Sequence, residues 1–407
     1  MRQRLLIIGA GMAAAYLLQE LGRAGADMDI TVVGEERDTC YNRVLLSNIL
    51  AGDSVEADLH MIETGTGTGT IQFLSATRVA AVDIERCRVV TDRQLVLSYD
   101  LLVFATGATV ARPALAGDGI RGVEQFRTLD DARHLRSLAG ASRPAVVVGG
   151  GLLGLEAAHG LNTLGFATTV VHRQSWLMNR QLDAEGGRQL QQDLQGSGIR
   201  FRLGDTLAAV NAAAGVLTGV ELRSGDALPC ELLVFATGIT PNALLAREAG
   251  LAVDRGILID GHMRASVPGV FALGECSQLG AECFGLVAPI REQARVLARS
   301  LMGVGGDLFR AERSPTQLKI SGIDIFSAGD LDAAAEQLVM RDEAAGIYRR
   351  LVLRHGRLVG VVLVGDKRGG TWYSELIRSG SDISGFRSGL IFGREVSEAL
   401  QQTARAA

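Results

Sequence analysis

The chain is poor in cysteine. Five thiols are spread over 407 residues, at Cys40, Cys87, Cys230, Cys276 and Cys283. None stands in a C-x-x-C pair, so neither a zinc site nor a dithiol redox couple is signalled, and no metal centre is expected. An odd, sparse set fits a reducing compartment and makes a cytoplasmic location the expectation. A basic surplus is also missing: 45 acidic residues face 41 basic ones, for a formal charge of −4. That argues against nucleic acid or a membrane surface as partner. Nowhere do the roughly 20 uninterrupted apolar residues of a membrane helix occur. Low-complexity sequence is lacking; Thr64–Thr70, where glycine and threonine alternate, reads as a surface loop. The length allows two or three domains, and a 47% hydrophobic fraction allows large cores.

What the chain does have is a repeat. Leu-Leu-Val-Phe-Ala-Thr-Gly occurs at Leu101–Gly107 and again at Leu232–Gly238. Each copy follows a glycine-rich turn of its own, Gly9-Ala10-Gly11-Met12-Ala13-Ala14 and Gly149-Gly150-Gly151-Leu152-Leu153-Gly154. Around the first turn, Arg4–Ile8 reads as a buried strand, Met12–Leu21 as a helix, and Asp29–Val33 and Leu101–Phe104 as further strands. Ala145–Val148, Leu152–Leu164, Thr168–Val171 and Leu232–Phe235 repeat that series. Strands alternating with helices predict parallel sheets with right-handed crossovers. Arg2 and Arg4 ahead of the apolar Leu5–Leu18 imitate a secretory signal. Pro144–Ala158 shows the same pattern deep in the chain, so a buried strand, turn and helix is the expectation.

A third apolar stretch, Val267–Glu275, reads as one more strand ending in Gly-Glu. Beyond Arg310 the texture changes. Gln317–Phe326 and Tyr348–Val364 carry β-branched and aliphatic runs, the second turning at His355-Gly356 as a hairpin. Trp372–Arg378 reads as a short helix. The expected fold is therefore α/β: two Rossmann-like dinucleotide-binding domains, the second inserted in the first, plus a small C-terminal α+β domain. The boundaries read as 1–115 with 250–310, 116–249, and 311–407.

Both turns suit an anionic nucleotide. Gly9 permits the tight bend, Gly11 lets backbone approach a pyrophosphate, and Ala14 is small enough for helix–strand packing. The phosphates then meet the free N–H groups and the dipole at a helix start. Glu35, 26 residues after Gly9 at the end of the second strand, can accept the ribose hydroxyls and would repel a 2′-phosphate. The second turn is complete in Gly149, Gly151 and Gly154. Its strand ends in His172-Arg173 instead of an acid, so NADH and NADPH both stay open, and Arg173 fits either a phosphate contact or a solvated loop. Two dinucleotides in one protein most simply exchange a hydride.

These features resemble the flavoprotein reductases with two dinucleotide-binding domains, over roughly residues 4–300. The resemblance implies FAD in the first site and NAD(P)H in the second. Ala105-Thr106-Gly107 and Ala236-Thr237-Gly238 would lie near the cofactors, and Gly274-Glu275 stands where the family places a Gly-Asp against FAD. Tyr41-Asn42-Arg43-Val44-Leu45-Leu46-Ser47 resembles a segment of rubredoxin reductases, ferredoxin reductases and the apoptosis-inducing-factor group, which gives Arg43 to the FAD diphosphate. Those groups often follow the serine with a lysine paired to a glutamate near the flavin. Glu156 is present, but the lysine position is Asn48, so the flavin edge has lost a cation. Glu156 and Asn48 are the candidate catalytic pair; Glu156 either finds another partner or is pushed up by burial. Arg127 is a candidate FAD contact. Met12, Ala13, Glu36, Ser47, Val79, Leu286 and Val287 complete the flavin candidates, and Leu153, His172, Arg173, Thr237 and Gly238 the nicotinamide ones.

Asn48, Gly274-Glu275-Cys276, Phe284–Pro289, Leu318–Asp330, Trp176-Leu177-Met178 and Gln181-Leu182-Asp183 are similar to the flavin-reductase part of the large subunit of NAD(P)H-dependent nitrite reductase. The similarity runs to about Gly393. In that subunit, cysteine clusters for iron–sulfur and sirohaem centres follow; none precedes Ala407 here, so the expectation is a chain that does not reduce nitrite unaided. Ser47–Gly52 also lacks the redox cysteine of related oxidases and peroxidases, and Cys40 reads as a buried hydrophobe. Electrons would then leave the flavin directly for an external acceptor, a rubredoxin- or ferredoxin-type carrier or a nitrate/nitrite reductase partner, docked near the tail domain. Two rival readings are a redox-sensing flavoprotein of the apoptosis-inducing type and a flavin subunit of a nitrite reductase complex. A homodimer is left open. Arg349, Arg350, Arg354, His355, Arg357, Lys367 and Arg368 read either as a basic docking patch or as an ordinary solvated hairpin. Arg180 is a further candidate for the nicotinamide nucleotide.

Overall fold

The computed structural model describes residues 2–406 apart from 63–68, 114, 116, 118, 141, 307, 311–315, 319–321 and 333. Most of the Gly/Thr loop and Lys319–Ser321 thus lie outside the described residues. Two five-stranded parallel sheets dominate. The first runs Val270–Ala272, Leu101–Phe104, Gln3–Ile8, Met28–Val33, Ile71–Leu74. The second runs Val123–Gln125, Leu232–Phe235, Pro144–Val148, Ala167–His172, Arg200–Leu203. The registers coincide: Ile8 lies opposite Phe104 and Val33, and Val148 opposite Phe235 and Val171.

The repeated string explains the centre of each sheet. Leu102, Val103 and Phe104, like Leu233 and Val234, have no exposed surface. Strands covered on both faces need such unbroken apolar runs, and each buried side chain contributes about 1.5–3 kcal/mol. The two sheets differ in where the strand beside the string comes from. In the second it precedes the unit, at Val123–Gln125; in the first it comes last, at Val270–Ala272, so the first sheet draws strands from both sides of the second. This late strand is shorter than its apolar stretch: Pro268 has no N–H to give a ladder, and Gly274 turns the chain with a φ of +82°.

Each unit also carries a three-stranded antiparallel meander that the periodicity does not reveal. One comprises Val79–Asp83, Arg88–Thr91 and Val96–Ser98, the other Leu207–Ala213, Val216–Leu222 and Ala227–Pro229. Both sit in the chain just ahead of the repeated string, so the repeat is longer in space than in sequence. Helix Val287–Leu301 packs along Met12–Arg23 behind the first turn.

The tail is a five-stranded antiparallel sheet with helices. The hairpin Ile347–Arg354 and Arg357–Val364 turns at His355-Gly356, whose φ angles of +52° and +68° suit a tight two-residue connection. Ile325–Gly329 pairs beside it, and helix Gly370–Ser379 covers it. The tail seats on helix Ala184–Gly196 of the second unit: Val362 and Val364 lie against Gly186, and Tyr348 donates to Asp183 Oδ2 at 2.6 Å.

Candidate functional site

The first turn is built so that only glycine serves at its start. Gly9 has a φ of +110°, and an added Cβ would run into the Ala105 carbonyl. Gly11 is the opposite case. It caps helix Met12–Arg23, and an added Cβ would find only the Arg43 guanidinium, at 3.8 Å. Open space, free helical N–H groups and a cation beside them suit a diphosphate. Gly274 N–H donates to Gln293 Oε1 at 2.7 Å, which fixes the late strand's end. An added Cβ at Gly274 would meet Ala13 at 2.9 Å, so that end lies against the helix start.

Around this turn the charged candidates are linked. Arg43 pairs with Glu36, and its Nη1 donates to the Arg127 carbonyl at 3.2 Å. Tyr41 hydroxyl donates to Glu36 Oε2 at 2.6 Å. Burial opposes the Arg43 charge, but Tyr41, Glu36 and Glu275 outweigh it and raise its pKa. Arg127 pairs with Glu275 beside Gly107, and its Nε donates to the Ala108 carbonyl at 2.9 Å. Glu36 is therefore engaged within the protein, while Glu35 is exposed at the strand end. Val79 is buried in a segment that folds back on this end: Thr77 N–H donates to Gly34 O and Ala76 N–H to Glu36 O. Ser47 Oγ is buried without a hydrogen-bond partner. A buried hydroxyl without a partner costs about 1–3 kcal/mol, so Ser47, the open space at Gly11 and the two arginines fit an anionic dinucleotide such as FAD. Val287 starts the helix that packs behind, with Leu286 as its N-cap.

The second turn repeats this geometry. Gly149 has a φ of +126° against the Ala236 carbonyl, and Gly151 caps helix Leu152–Thr163 with nothing near its would-be Cβ. Gly154 packs on the Gly149 carbonyl. Leu153, in the first turn of that helix, is 50% exposed, an apolar face beside the open turn. His172 is placed differently from an acid at a strand end. It is buried, and its Nδ1 accepts the Gly150 N–H at 3.0 Å. Burial lowers its pKa, with Arg173 acting in the same direction. His172 thus supports the turn from behind, and Arg173 is the exposed side chain there. The Trp176–Leu182 loop lies over the turn: Met178 N–H donates to Gly150 O at 2.8 Å, and Trp176 Nε1 to Leu182 O at 3.0 Å.

Between the turns, the ends of the two repeated strings join. Ala108–Val110 and Ile239–Pro241 form an antiparallel two-stranded ribbon. Thr106 Oγ1 donates to Asn242 O at 2.7 Å, Asn242 Nδ2 returns a bond to Thr106 O at 3.0 Å, and Ala111 N–H donates to Gly238 O at 2.9 Å. Thr237 hydroxyl donates to the Ala111 carbonyl. Both threonine hydroxyls therefore tie the crossing strands. Nothing in the sequence singled out Asn242 or Gln293; neither sits in a motif with a recognisable period.

Glu156 is 4% exposed on helix Leu152–Thr163, which packs on helix Leu46–Ala51, where Asn48 sits half-buried. The contact is close because Gly160 leaves room for Leu50: an added Cβ would meet Leu50 Cγ at 2.7 Å. The candidate pair thus comes from both units, on two touching helices. Cys40 is buried and its thiol is pushed up to about 12 by burial, an inert environment. Among the described residues no group of histidines, cysteines and acids could hold a metal ion, and no helix is long and apolar enough to cross a membrane.

Most cations of the basic hairpin are paired. Arg349 is buried on Asp366 at 2.8 Å and Arg350 is buried near Asp183 at 3.6 Å. Arg354 reaches Asp330 and Asp332, Lys367 reaches Asp324, and Arg368 reaches Asp366. Acids brought in by folding meet most of these cations, Arg368 pairs with its close neighbour in the chain, and His355 and Arg357 stay exposed at the turn.

The fold defines a protein with two Rossmann-like units of the pyridine nucleotide oxidoreductase type. Residues 3–296 match the pyridine nucleotide-disulphide oxidoreductase family, and the chain belongs to it. Members use FAD and NAD(P)H. Residues 315–381 match the rubredoxin NAD+ reductase C-terminal domain. The chain is 37% identical over 387 residues to a nitrite reductase [NAD(P)H] of Bacillus subtilis, covering 94% of this chain and 48% of that protein. It is 35% identical to the assimilatory nitrate reductase electron transfer subunit of the same organism, covering 90% and 48%. The chain thus spans about half the length of these relatives. Among solved structures, a ferredoxin reductase of Rhodopseudomonas palustris superposes with a TM-score of 0.81 at 25% identity, over 89% of this chain and 91% of that one. A putidaredoxin reductase in covalent complex with putidaredoxin superposes at 0.87 with 24% identity, over 100% and 99%, and shares the fold.

Proposed function

We propose that this chain is an FAD-dependent oxidoreductase that takes electrons from NAD(P)H and passes them to an external acceptor. The carrying observation is the pair of open glycine turns, Gly9–Gly11 and Gly149–Gly151, held by one hydrogen-bonded ribbon. FAD belongs to residues 1–115 with 250–310, the nicotinamide nucleotide to 116–249, and 311–407 is the tail domain. When bound, FAD supplies the conversion of a two-electron donor to one-electron transfer. The protein supplies position and charge. Gly9 makes the bend, Gly11, Met12, Ala13 and Ala14 present N–H groups to the diphosphate, and Arg43 and Arg127 balance its charge. Glu35 takes the ribose hydroxyls, Glu275 faces Gly107, and Ser47 gains the partner it lacks. Gly149, Gly151, Gly154, Leu153 and Arg173 receive the second nucleotide.

The acceptor is a rubredoxin- or ferredoxin-type carrier or a nitrate/nitrite reductase partner. Support comes from relatives named as a nitrite reductase, a nitrate reductase electron transfer subunit and a nitric oxide reductase FlRd-NAD(+) reductase of Vibrio vulnificus. A cytoplasmic site of action and a homodimer go with this reading. Alignment of 94% of the chain with 48% of a nitrite reductase also favours a second form of it, in which the chain is the flavin part of a nitrite-reducing assembly. Anaerobic stopped-flow reduction by NADH and NADPH, followed by a panel of carriers, tests the proposal. Rapid bleaching and rapid reoxidation by a carrier are expected. A flavin that is reduced but returns electrons to no carrier would instead fit a sensor of the apoptosis-inducing type.

A further inference from the structure

The two units provide an internal alignment at the strand that meets the ribose. Gly9 N–H donates to Val33 O at 2.8 Å, and Gly149 N–H to Val171 O at 2.9 Å. Val33 and Val171 are therefore equivalent. One residue on stand Gly34 and His172; two on stand Glu35 and Arg173. At the first of these positions bulk changes sides. An added Cβ on Gly34 would meet Ala10 Cβ at 2.6 Å, whereas an added Cβ on Gly150 would meet His172 Cγ at 2.7 Å. At the second position charge reverses, and both side chains are exposed.

The nearby acids are committed elsewhere. Asp205 follows the strand end, its N–H donating to His172 O at 3.2 Å. Its carboxylate accepts the N–H groups of Thr206 at 2.8 Å and Ser224 at 3.4 Å. Asp183 accepts from the Tyr348 hydroxyl and, at 3.1 Å, from Gly186 N–H. The exposed Arg180 rides on the loop that Met178 fastens to Gly150. A strand-end carboxylate accepts from a ribose 2′-hydroxyl and repels a 2′-phosphate; an arginine reverses both terms.

We infer that the second site selects the 2′-phosphorylated nucleotide, NADPH over NADH, with Arg173 as the first phosphate partner and Arg180 as the second. This rests on the reading that residues 116–249 bind a nicotinamide dinucleotide. The test is titration calorimetry of the flavin-loaded full chain with 2′,5′-ADP and with 5′-AMP at low salt, probes that need no turnover. The 2′-phosphate should tighten binding about tenfold or more, as a charge-assisted contact does, and added salt should narrow the gap. Arg173→Ala should remove most of the gap while leaving 5′-AMP binding in place, and Arg173→Glu should reverse it. Arg180→Ala should remove a smaller share. NADPH should also exceed NADH in kcat/KM for flavin reduction. Equal affinity for the two probes in the unmodified protein overturns the inference. So does an Arg173→Ala variant that keeps the gap, or one that loses both probes equally, which would mark Arg173 as a stacking residue. If neither probe binds and neither nucleotide reduces the flavin, the functional reading itself fails and takes the inference with it.

Discussion

The two dinucleotide units share a strand string, a sheet order and a register, yet they treat charge differently. The first gathers it: Glu36, Arg43, Arg127 and Glu275 meet within one linked cluster, with Glu35 exposed at the strand end beside it. The second has little beyond Arg173 and Arg180 at its mouth and a buried neutral imidazole behind its turn. Backbone geometry sets where a dinucleotide can lie, and side chains at the strand end and on distant segments set which one lies there and how firmly. A site closed by ion pairs from residues 36, 43, 127 and 275 suits a resident cofactor. A site with an open mouth suits a nucleotide that comes and goes.

The largest test of this contrast is Gly9→Ala against Gly149→Ala. Each new Cβ meets a carbonyl in a left-handed backbone, at a cost of about 3 kcal/mol or more. Gly9→Ala should lower the melting temperature and yield colourless protein. Gly149→Ala should stay yellow but resist reduction by NAD(P)H. If both variants lost flavin alike, the units would not be independent. A gentler pair is Gly11→Val and Gly151→Val, where the space is open. Both should fold with near-normal thermal stability; only Gly11→Val should lose flavin, and Gly151→Val should weaken nucleotide binding about tenfold or more. A smaller effect is expected from Arg127→Ala, which leaves Glu275 unpaired at 18% exposure. It should cost about 1–3 kcal/mol and loosen flavin, read by fluorescence of released FAD.

The smallest effect sharpens the comparison through pH. His172 accepts the Gly150 N–H in its neutral form, and burial holds its pKa below the ordinary value. The unfolded chain therefore takes up the proton first on acidification. The support His172 gives is complete above about pH 6.5 and is lost as pH falls through the folded value. Nucleotide affinity should decline there while flavin occupancy holds. His159, also lowered by burial, acts in the same direction on stability, so the control is His172→Asn, which should flatten the nucleotide-binding profile by about 1 kcal/mol. An unchanged profile would remove His172 from the turn's support.

Much of this was legible in the chain, for physical reasons. Buried parallel strands must be continuously apolar, so Leu101–Phe104 and Leu232–Phe235 stood out. Tight turns against a carbonyl require glycine, so Gly9 and Gly149 did too. The meanders at 79–98 and 207–229 were not visible, because strands half-exposed at an edge mix polar and apolar residues without a firm period. The pairing of Arg349 with Asp366 and of Arg350 with Asp183 could not be read either, since adjacency in sequence grouped the cations and only folding supplied the acids. Helix Arg394–Ala406 had no motif to announce it, and the likeness to a reductase tail stopped near it.

The late strand Val270–Ala272 has a consequence for how the protein is made. Every strand of the second sheet lies between Val123 and Phe235, so that sheet can close as soon as those residues leave the ribosome. Leu101–Phe104, by contrast, waits for its outer neighbour until the whole inserted unit has been synthesised. Throughout that interval it presents an open, apolar strand edge, the kind that recruits other chains. The repeated string is thus safe in its second copy early and in its first copy only late. Slow translation or a folding defect in the inserted unit should therefore show itself as aggregation nucleated at Leu101–Phe104, far from the lesion.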